Sequence, residues 1–268
     1  MIAFPDIDPV AVRLGPLAIR WYGIAYLVGI GLGWWLLRLR ARRKDSGWNT
    51  EQVADLIFYT ALGAILGGRL GYVLFYNLPG YLANPLEIFK VWHGGMSFHG
   101  GLLGFLTAVW LYSVKSARRF FLVTDFIAPV VPVGLFFGRL ANFVNSELWG
   151  APTSLPWGVV FPDPSAGGVP RHPSQLYEAL LEGAILFAVL WIFSRKPRPL
   201  RAVSAVFLLF YGTFRFAVEF VRVPDAHLGY LAFEWVTMGQ ILSLPMILIG
   251  GWLLLVAYRH TGKAQSTV

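Results

Sequence analysis

The sequence predicts an all-α polytopic membrane protein with about seven transmembrane helices, its N-terminus periplasmic and its C-terminus cytoplasmic. It reads as one membrane domain over residues 1–268. Three observations lead there. Hydrophobic residues make up 56% of the chain and charged residues 13%, against about 25% charged in ordinary soluble domains, and the mean hydropathy is +0.60. The apolar residues run in stretches close to the ~20 residues that cross a hydrocarbon core. Lys and Arg gather after alternate stretches, as they do on the cytoplasmic side of a membrane.

The spans fall at about 21–38, 53–77, 95–114, 121–143, 174–193, 202–221 and 236–258. The first is uncharged up to Arg38, and Trp21, Tyr22, Tyr26, Trp34 and Trp35 read as interfacial aromatics. Asp6 and Asp8 precede it with no basic leader, so it is expected to serve as an uncleaved insertion signal. The second carries Gly63, Gly67 and Gly71, a small-xxx-small packing seam, with Arg69 just off it. The third opens on a glycine-rich run from His93 to Gly101. The fourth ends in a polar cluster from Gly138 to Gly150. The fifth is entered through Arg171-His172-Pro173, with Ser174 expected as its N-cap, and is weakened by Glu178 and Glu182 in its opening turns. The sixth places Tyr211, Arg215 and Glu219 on one helix face, Arg222 following. The seventh is a clean apolar run. Small periplasmic excursions are expected near 78–94 and 145–173.

Basic clusters at Arg38–Lys44, Lys115–Arg119, Arg195–Arg201 and Arg259–Lys263 hold most of the 22 Lys and Arg and share one side of a seven-span layout. The net charge of +8 therefore reads as positive-inside anchoring that also attracts anionic membrane lipids. It does not read as a nucleic-acid patch. The chain has no cysteine, which excludes disulfides, thiolate metal sites and a cysteine nucleophile. No cofactor is expected. His93 and His99 lack further ligands at metal spacing, so no metal is expected either.

The remaining polar residues inside spans need an explanation, because an arginine at a span centre costs roughly 2.5–3.5 kcal/mol on insertion scales. Arg215 and Glu219 have two readings: a pair that neutralises itself, or a carboxylate that aims a guanidinium at an anion. Arg139, Asn142 and Ser146 lie near one face, and Arg with Asn suits a phosphate. The alternative there is a polar helix end capped by Asn145 and Gly150. His99 is either a packed histidine or a proton-exchanging one.

Together these residues resemble the bacterial prolipoprotein diacylglyceryl transferase family. The stretch Gly138-Arg139-Leu140-Ala141-Asn142-Phe143-Val144-Asn145-Ser146-Glu147-Leu148-Trp149-Gly150 is similar to its signature. Shorter similar stretches are Arg20-Trp21-Tyr22-Gly23, Gly67-Gly68-Arg69, Gly94 to Gly101, Arg171 to Glu178, and Tyr211 to Glu219. Arg20 stands where some relatives carry His, and the loop 151–170 is shorter than in some relatives.

The resemblance implies an enzyme of the bacterial inner membrane with its active site toward the periplasm. It would move the sn-1,2-diacylglyceryl group of phosphatidylglycerol to the lipobox cysteine thiol of a prolipoprotein held by its signal peptide. A thioether forms and glycerol 1-phosphate leaves. On this reading Arg139 and Arg215 clamp the phosphate and His99 is a candidate base. Tyr22, Arg69, Asn142, Glu147, Gly150, Tyr211 and Glu219 contact or orient the substrates. An anionic-lipid transporter or flippase and a lipid hydrolase are the rival readings of the same residues.

Overall fold

The computed structural model describes residues 2–15, 17–44, 46–90, 94–224 and 229–265. The α-helices, in order, are α1 Trp21–Ala41, α2 Thr50–Phe75, α3 Leu78–Ala83, α4 Phe98–Lys115, α5 Phe120–Ile127, α6 Val131–Val144, α7 Ser174–Glu178, α8 Leu186–Phe193, α9 Ala202–Glu219 and α10 Met238–Gln265. Among the described residues, six stretches are long and apolar enough to cross a membrane: Trp21–Ala41, Thr50–Phe75, Phe120–Val144, Ser174–Phe193, Ala202–Glu219 and Met238–Arg259. The chain is thus a polytopic membrane protein. The remaining expected span coincides with α4, 18 residues long; His99, Gly100, Gly101, Gly104 and Lys115 dilute its apolar content, and it falls outside those six.

The expectation of an all-α chain is corrected by short strands: β1 Ile2–Ala3, β2 Val10–Leu14, β3 Leu17–Arg20, β4 Val159–Val160 and β5 Pro170–Arg171. β1 pairs parallel to β4, β4 antiparallel to β5, and β2 with β3 forms a hairpin leading into α1. These segments lie outside the long apolar helices, and their backbone N–H and C=O groups find partners in ladders instead of a helix.

The chain divides into two compact units, Met1–Gly33 with Asp125–Val268 and Trp34–Thr124. In the second, α2 and α4 meet along the glycine seam. A Cβ on Gly67 would fall on the Gly100 carbonyl oxygen and stand 2.7 Å from Gly104 Cα, and one on Gly71 would stand 2.8 Å from Gly100 Cα. Only glycine allows that approach. Asn49 and Gln52 form a reciprocal capping box at the start of α2, and Ser97 Oγ accepts the Gly100 N–H at 3.2 Å to start α4.

In the first unit, Gly212 and Gly250 bring α9 and α10 together, and Ala128, Leu186, Leu190, Val203 and Val206 form a buried core. α9 starts at Arg201 in a left-handed conformation with no side-chain cap of its own. Asp125 supplies one from a distant part of the chain, accepting from Arg201 N at 2.6 Å, Ser204 N at 2.8 Å and Ser204 Oγ at 2.6 Å. Val159 of β4 lies with Phe4, Phe143, Trp149, Phe161 and Ala166 in a small separate core.

Candidate active site

In the first unit, three arginines and three glutamates converge inside the apolar helices. Arg139 comes from α6, Arg215 and Glu219 from α9, and Arg222 from just beyond α9. Glu178 ends α7 and Glu182 sits in the π-helical turn Ala179–Ile185 that follows. Arg139 Nη2 and Arg215 Nη1 meet one oxygen, Glu178 Oε2, at 2.8 and 3.0 Å. Glu178 Oε1 takes Arg222 Nη1 at 2.6 Å. Glu219 Oε1 takes Arg215 Nη2, and Arg222 Nε at 3.1 Å. Glu219 Oε2 accepts from Thr237 Oγ1 at 2.5 Å, and the backbone of Gly239 lies against the same carboxylate.

Both α7-side carboxylates are fully buried. A buried charge is tolerated when paired and costly when alone, so each member of the cluster keeps the others in the membrane. The intrahelical Arg215–Glu219 pair is present, but Arg215 also reaches Glu178, so the pair is not self-contained. The π turn is where the chain departs from α geometry, a feature frequent at functional sites. Gly183 lets it lie on α6: a Cβ there would stand 2.7 Å from Phe136 Cβ. Glu182 stays 3.6 Å from Arg139 and 3.8 Å from Arg215.

The stretch after α6 is a folded turn. Asn142 Nδ2 donates to Glu147 Oε1 at 2.8 Å, and Gln175 Nε2 donates to the Glu147 carbonyl at 2.6 Å. Ser146 and Leu148 adopt positive φ of 55° and 59°, uncommon for non-glycine residues. Gly150 is no helix cap. Its N–H donates to the His172 carbonyl at 2.9 Å, it pairs with Arg222 in an isolated bridge, and a Cβ there would strike the Val221 carbonyl oxygen. Nor is Ser174 the N-cap of α7: that position is Pro173, and Ser174 Oγ donates to the Leu148 carbonyl at 3.0 Å. Tyr22 lies within electrostatic reach of Glu147 and Arg139, and Tyr211 within reach of Glu182 and Arg215. Arg139, Asn142, Glu147, Gly150, Tyr22, Tyr211, Arg215 and Glu219 thus belong to this unit. Close by, Arg171 stacks over Trp149 at 4.1 Å and donates to the Gly150 carbonyl at 3.2 Å. His172 Nδ1 is 3.2 Å from Tyr177 Oη, and burial pushes the His172 pKa down.

Arg69 and His99 belong to the second unit. Arg69 is 4% exposed. Its guanidinium donates to the carbonyls of Glu87 (2.5 Å), Ile88 (2.8 Å), Lys90 (3.3 Å), Gly94 (2.5 Å) and Gly95 (3.1 Å), and stacks on Tyr81. It orders the backbone leading to α4. His99 is exposed in the first turn of α4, its ring edge-on to Phe98. His93 lies outside the described residues.

Glu178, Glu182, Arg222 and Thr237 are the members that sequence reasoning did not single out as site residues. Their signal was present in the carboxylates: two glutamates in an apolar span require cationic partners, and the unassigned arginines were the available ones.

The family model described as prolipoprotein diacylglyceryl transferase matches residues 9–256 of the chain. The phosphatidylglycerol–prolipoprotein diacylglyceryl transferase of Solidesulfovibrio magneticus is 63% identical over 254 residues, 95% of this chain and 96% of the relative. That of Nitratidesulfovibrio vulgaris is 60% identical over 265 residues, covering 99% and 98%. That of Pseudomonas fluorescens is 58% identical over 270 residues, covering 100% and 99%.

Proposed function

The chain belongs to the prolipoprotein diacylglyceryl transferase family, and from that premise we propose how its residues divide the reaction. It is a transferase that moves a diacylglyceryl group from phosphatidylglycerol to prolipoprotein. In our reading the sn-1,2-diacylglyceryl carbon bonded to the phosphate oxygen is attacked by the lipobox cysteine sulfur. The C–O bond breaks as the C–S bond forms, and glycerol 1-phosphate carries the electron pair away.

The observation that supports this division is the meeting of Arg139 Nη2 and Arg215 Nη1 on one carboxylate oxygen. Two guanidiniums fixed side by side on one carboxylate hold their remaining N–H groups ready for an oxygen of a phosphodiester. Negative charge grows there as the C–O bond breaks, so donors held in place beforehand stabilise the transition state more than the ground state. Glu178 and Glu219 hold the arginines without neutralising every donor: all the ion pairs of Arg139 among the described residues run through Nη2. Asn142 orients the headgroup with Glu147, and Gly150 keeps the backbone close. Tyr22 and Tyr211 donate hydrogen bonds, and Arg69 serves through the loop it orders. His99 takes the thiol proton; a free thiol has a pKa near 8.5, so assistance matters most at neutral pH. We further propose seven spans, with α4 as the third, in the inner membrane. The N-terminus and the excursions 78–94 and 145–173 are periplasmic, and the signal peptide presents its lipobox cysteine at that face.

The test is transfer by purified protein in detergent, given phosphatidylglycerol and a lipobox peptide, with a Cys→Ser peptide as control. A mass gain of one diacylglyceryl group on the cysteine peptide alone, with glycerol 1-phosphate released, is expected. Lipid hydrolysis without peptide modification would instead indicate a hydrolase. No turnover by well-folded protein would point to lipid transport.

A further inference from the structure

The second unit carries a groove that plays no part in the transfer chemistry above. It runs along the outer side of the α2–α4 seam, holds about 460 Å³, and is lined by Tyr59, Leu66, Leu70, Thr107, Leu111 and Lys115, among others. Its floor is the seam itself, where Gly63, Gly67 and Gly104 let the two helix backbones touch. From Tyr59 to Leu70 on α2 the rise is ~16 Å at 1.5 Å per residue, about half of a ~30 Å hydrocarbon core. The walls are therefore apolar over the depth of one leaflet.

One end is different. Lys115 Nζ donates to Tyr59 Oη at 2.6 Å and sits over the Tyr59 ring at 4.8 Å. An ammonium has three N–H groups, so donors remain for a second partner. Arg118 and Asp55 also act electrostatically at this end, leaving one net positive charge among the three. Arg118 is held by the Gly47 carbonyl at 2.7 Å and Gln52 Oε1 at 3.0 Å, over the Trp48 ring. Lys115 is thus the freer cation at the mouth.

An apolar trough one leaflet deep, closed at the interface by a single excess positive charge, suits one acyl chain and the headgroup of an anionic phospholipid. The geometry points to a binding site for an anionic phospholipid of the leaflet on the Lys115 side. One acyl chain lies in the trough along the α2–α4 seam, and the phosphate takes the free N–H groups of Lys115. By the distribution of basic residues this is the cytoplasmic leaflet. The site is separate in residues and chemistry from the arginine–glutamate cluster. It selects charge where that cluster supports bond cleavage.

The chain has no cysteine, so Thr107→Cys offers one thiol in the groove and Leu248→Cys, 70% exposed on α10, one outside it. Each is labelled with bimane in the full-length protein, reconstituted in phosphatidylcholine vesicles, and quenched by chain-brominated phosphatidylglycerol or chain-brominated phosphatidylcholine. One lysine near an anionic headgroup contributes about 1 kcal/mol, so the brominated phosphatidylglycerol is expected to quench the Thr107→Cys probe with about fivefold preference. Adding Lys115→Gln brings the preference close to unity. Adding Leu66→Trp, which fills the trough, weakens quenching by both lipids. The Leu248→Cys probe shows no preference. Equal quenching of the Thr107→Cys probe by the two lipids overturns the site, as does a preference unmoved by Lys115→Gln, unmoved quenching with Leu66→Trp, or the same preference at Leu248→Cys.

Discussion

Arg139 and Arg215 meet on one oxygen of Glu178, and their substitutions test the phosphate role proposed for them. Arg139→Ala and Arg215→Ala are each expected to lower transfer about 100-fold or more, the scale seen when one preorganised donor at a developing oxyanion is removed, while membrane insertion is kept. Peptide transfer and membrane fractionation measure both; near-normal transfer in the two variants would remove the clamp. Arg215→Lys is expected to be almost as poor, because an ammonium cannot bond Glu178 and Glu219 in a planar fork; full activity there reduces Arg215 to a point charge. His99→Gln is expected to lose more activity at about pH 7 than at about pH 9, where the substrate thiol ionises unaided. A loss of equal size at both pH values assigns His99 a structural part.

Helices meet here by omission of side chains and are anchored by groups far away in sequence. Gly67→Ala places a Cβ on the Gly100 carbonyl and against Gly104 Cα. The overpacking should cost about 1–3 kcal/mol, read as a lower thermal midpoint in detergent; an unchanged midpoint would mean the α2–α4 seam is loose. Asp125→Ala removes three hydrogen bonds from the start of α9. Loss of a helix cap costs about 0.5–2 kcal/mol. Asp125→Ser should lower the midpoint less than Asp125→Ala, since a hydroxyl still accepts. If both variants melt like the parent, the cap contributes nothing. The π turn at Ala179–Ile185 is the element-scale feature with direct consequence for the site, since it carries the fully buried Glu182 and follows directly on Glu178.

For the whole molecule, the testable matter is which segments share a side of the membrane. Asn84→Cys and Thr153→Cys are expected to react with an impermeant maleimide added outside spheroplasts. Arg42→Cys and Ser116→Cys should react only after the membrane is opened. This pattern makes α4 a span and the loop 145–173 periplasmic. Labelling of Asn84→Cys and Ser116→Cys from the same side would leave six spans, and full inversion would reject the orientation. The physical basis is the bias of Lys and Arg in short loops, which acts during insertion.

Properties that each residue carries locally can be read from the order of amino acids alone. Hydropathy over ~20-residue windows located the apolar helices to within a few residues, and the four-residue glycine spacing on α2 marked its seam with α4. Arg139, Asn142, Arg215 and Glu219 stood out because charge and hydrogen-bonding capacity inside apolar spans need a partner. The partners themselves are fixed by the folded chain. Glu178 joins Arg139, Arg215 and Arg222 from different segments, Gly150 is a joint with His172 and Val221, and Arg69 binds a run of carbonyls. Those pairings depend on helix register, on one π turn and on backbone approach across long sequence separations. No local periodicity encodes them. β1 and β4 escaped for the same reason: a two-residue ladder has no pattern until the chain brings residues 2 and 159 together.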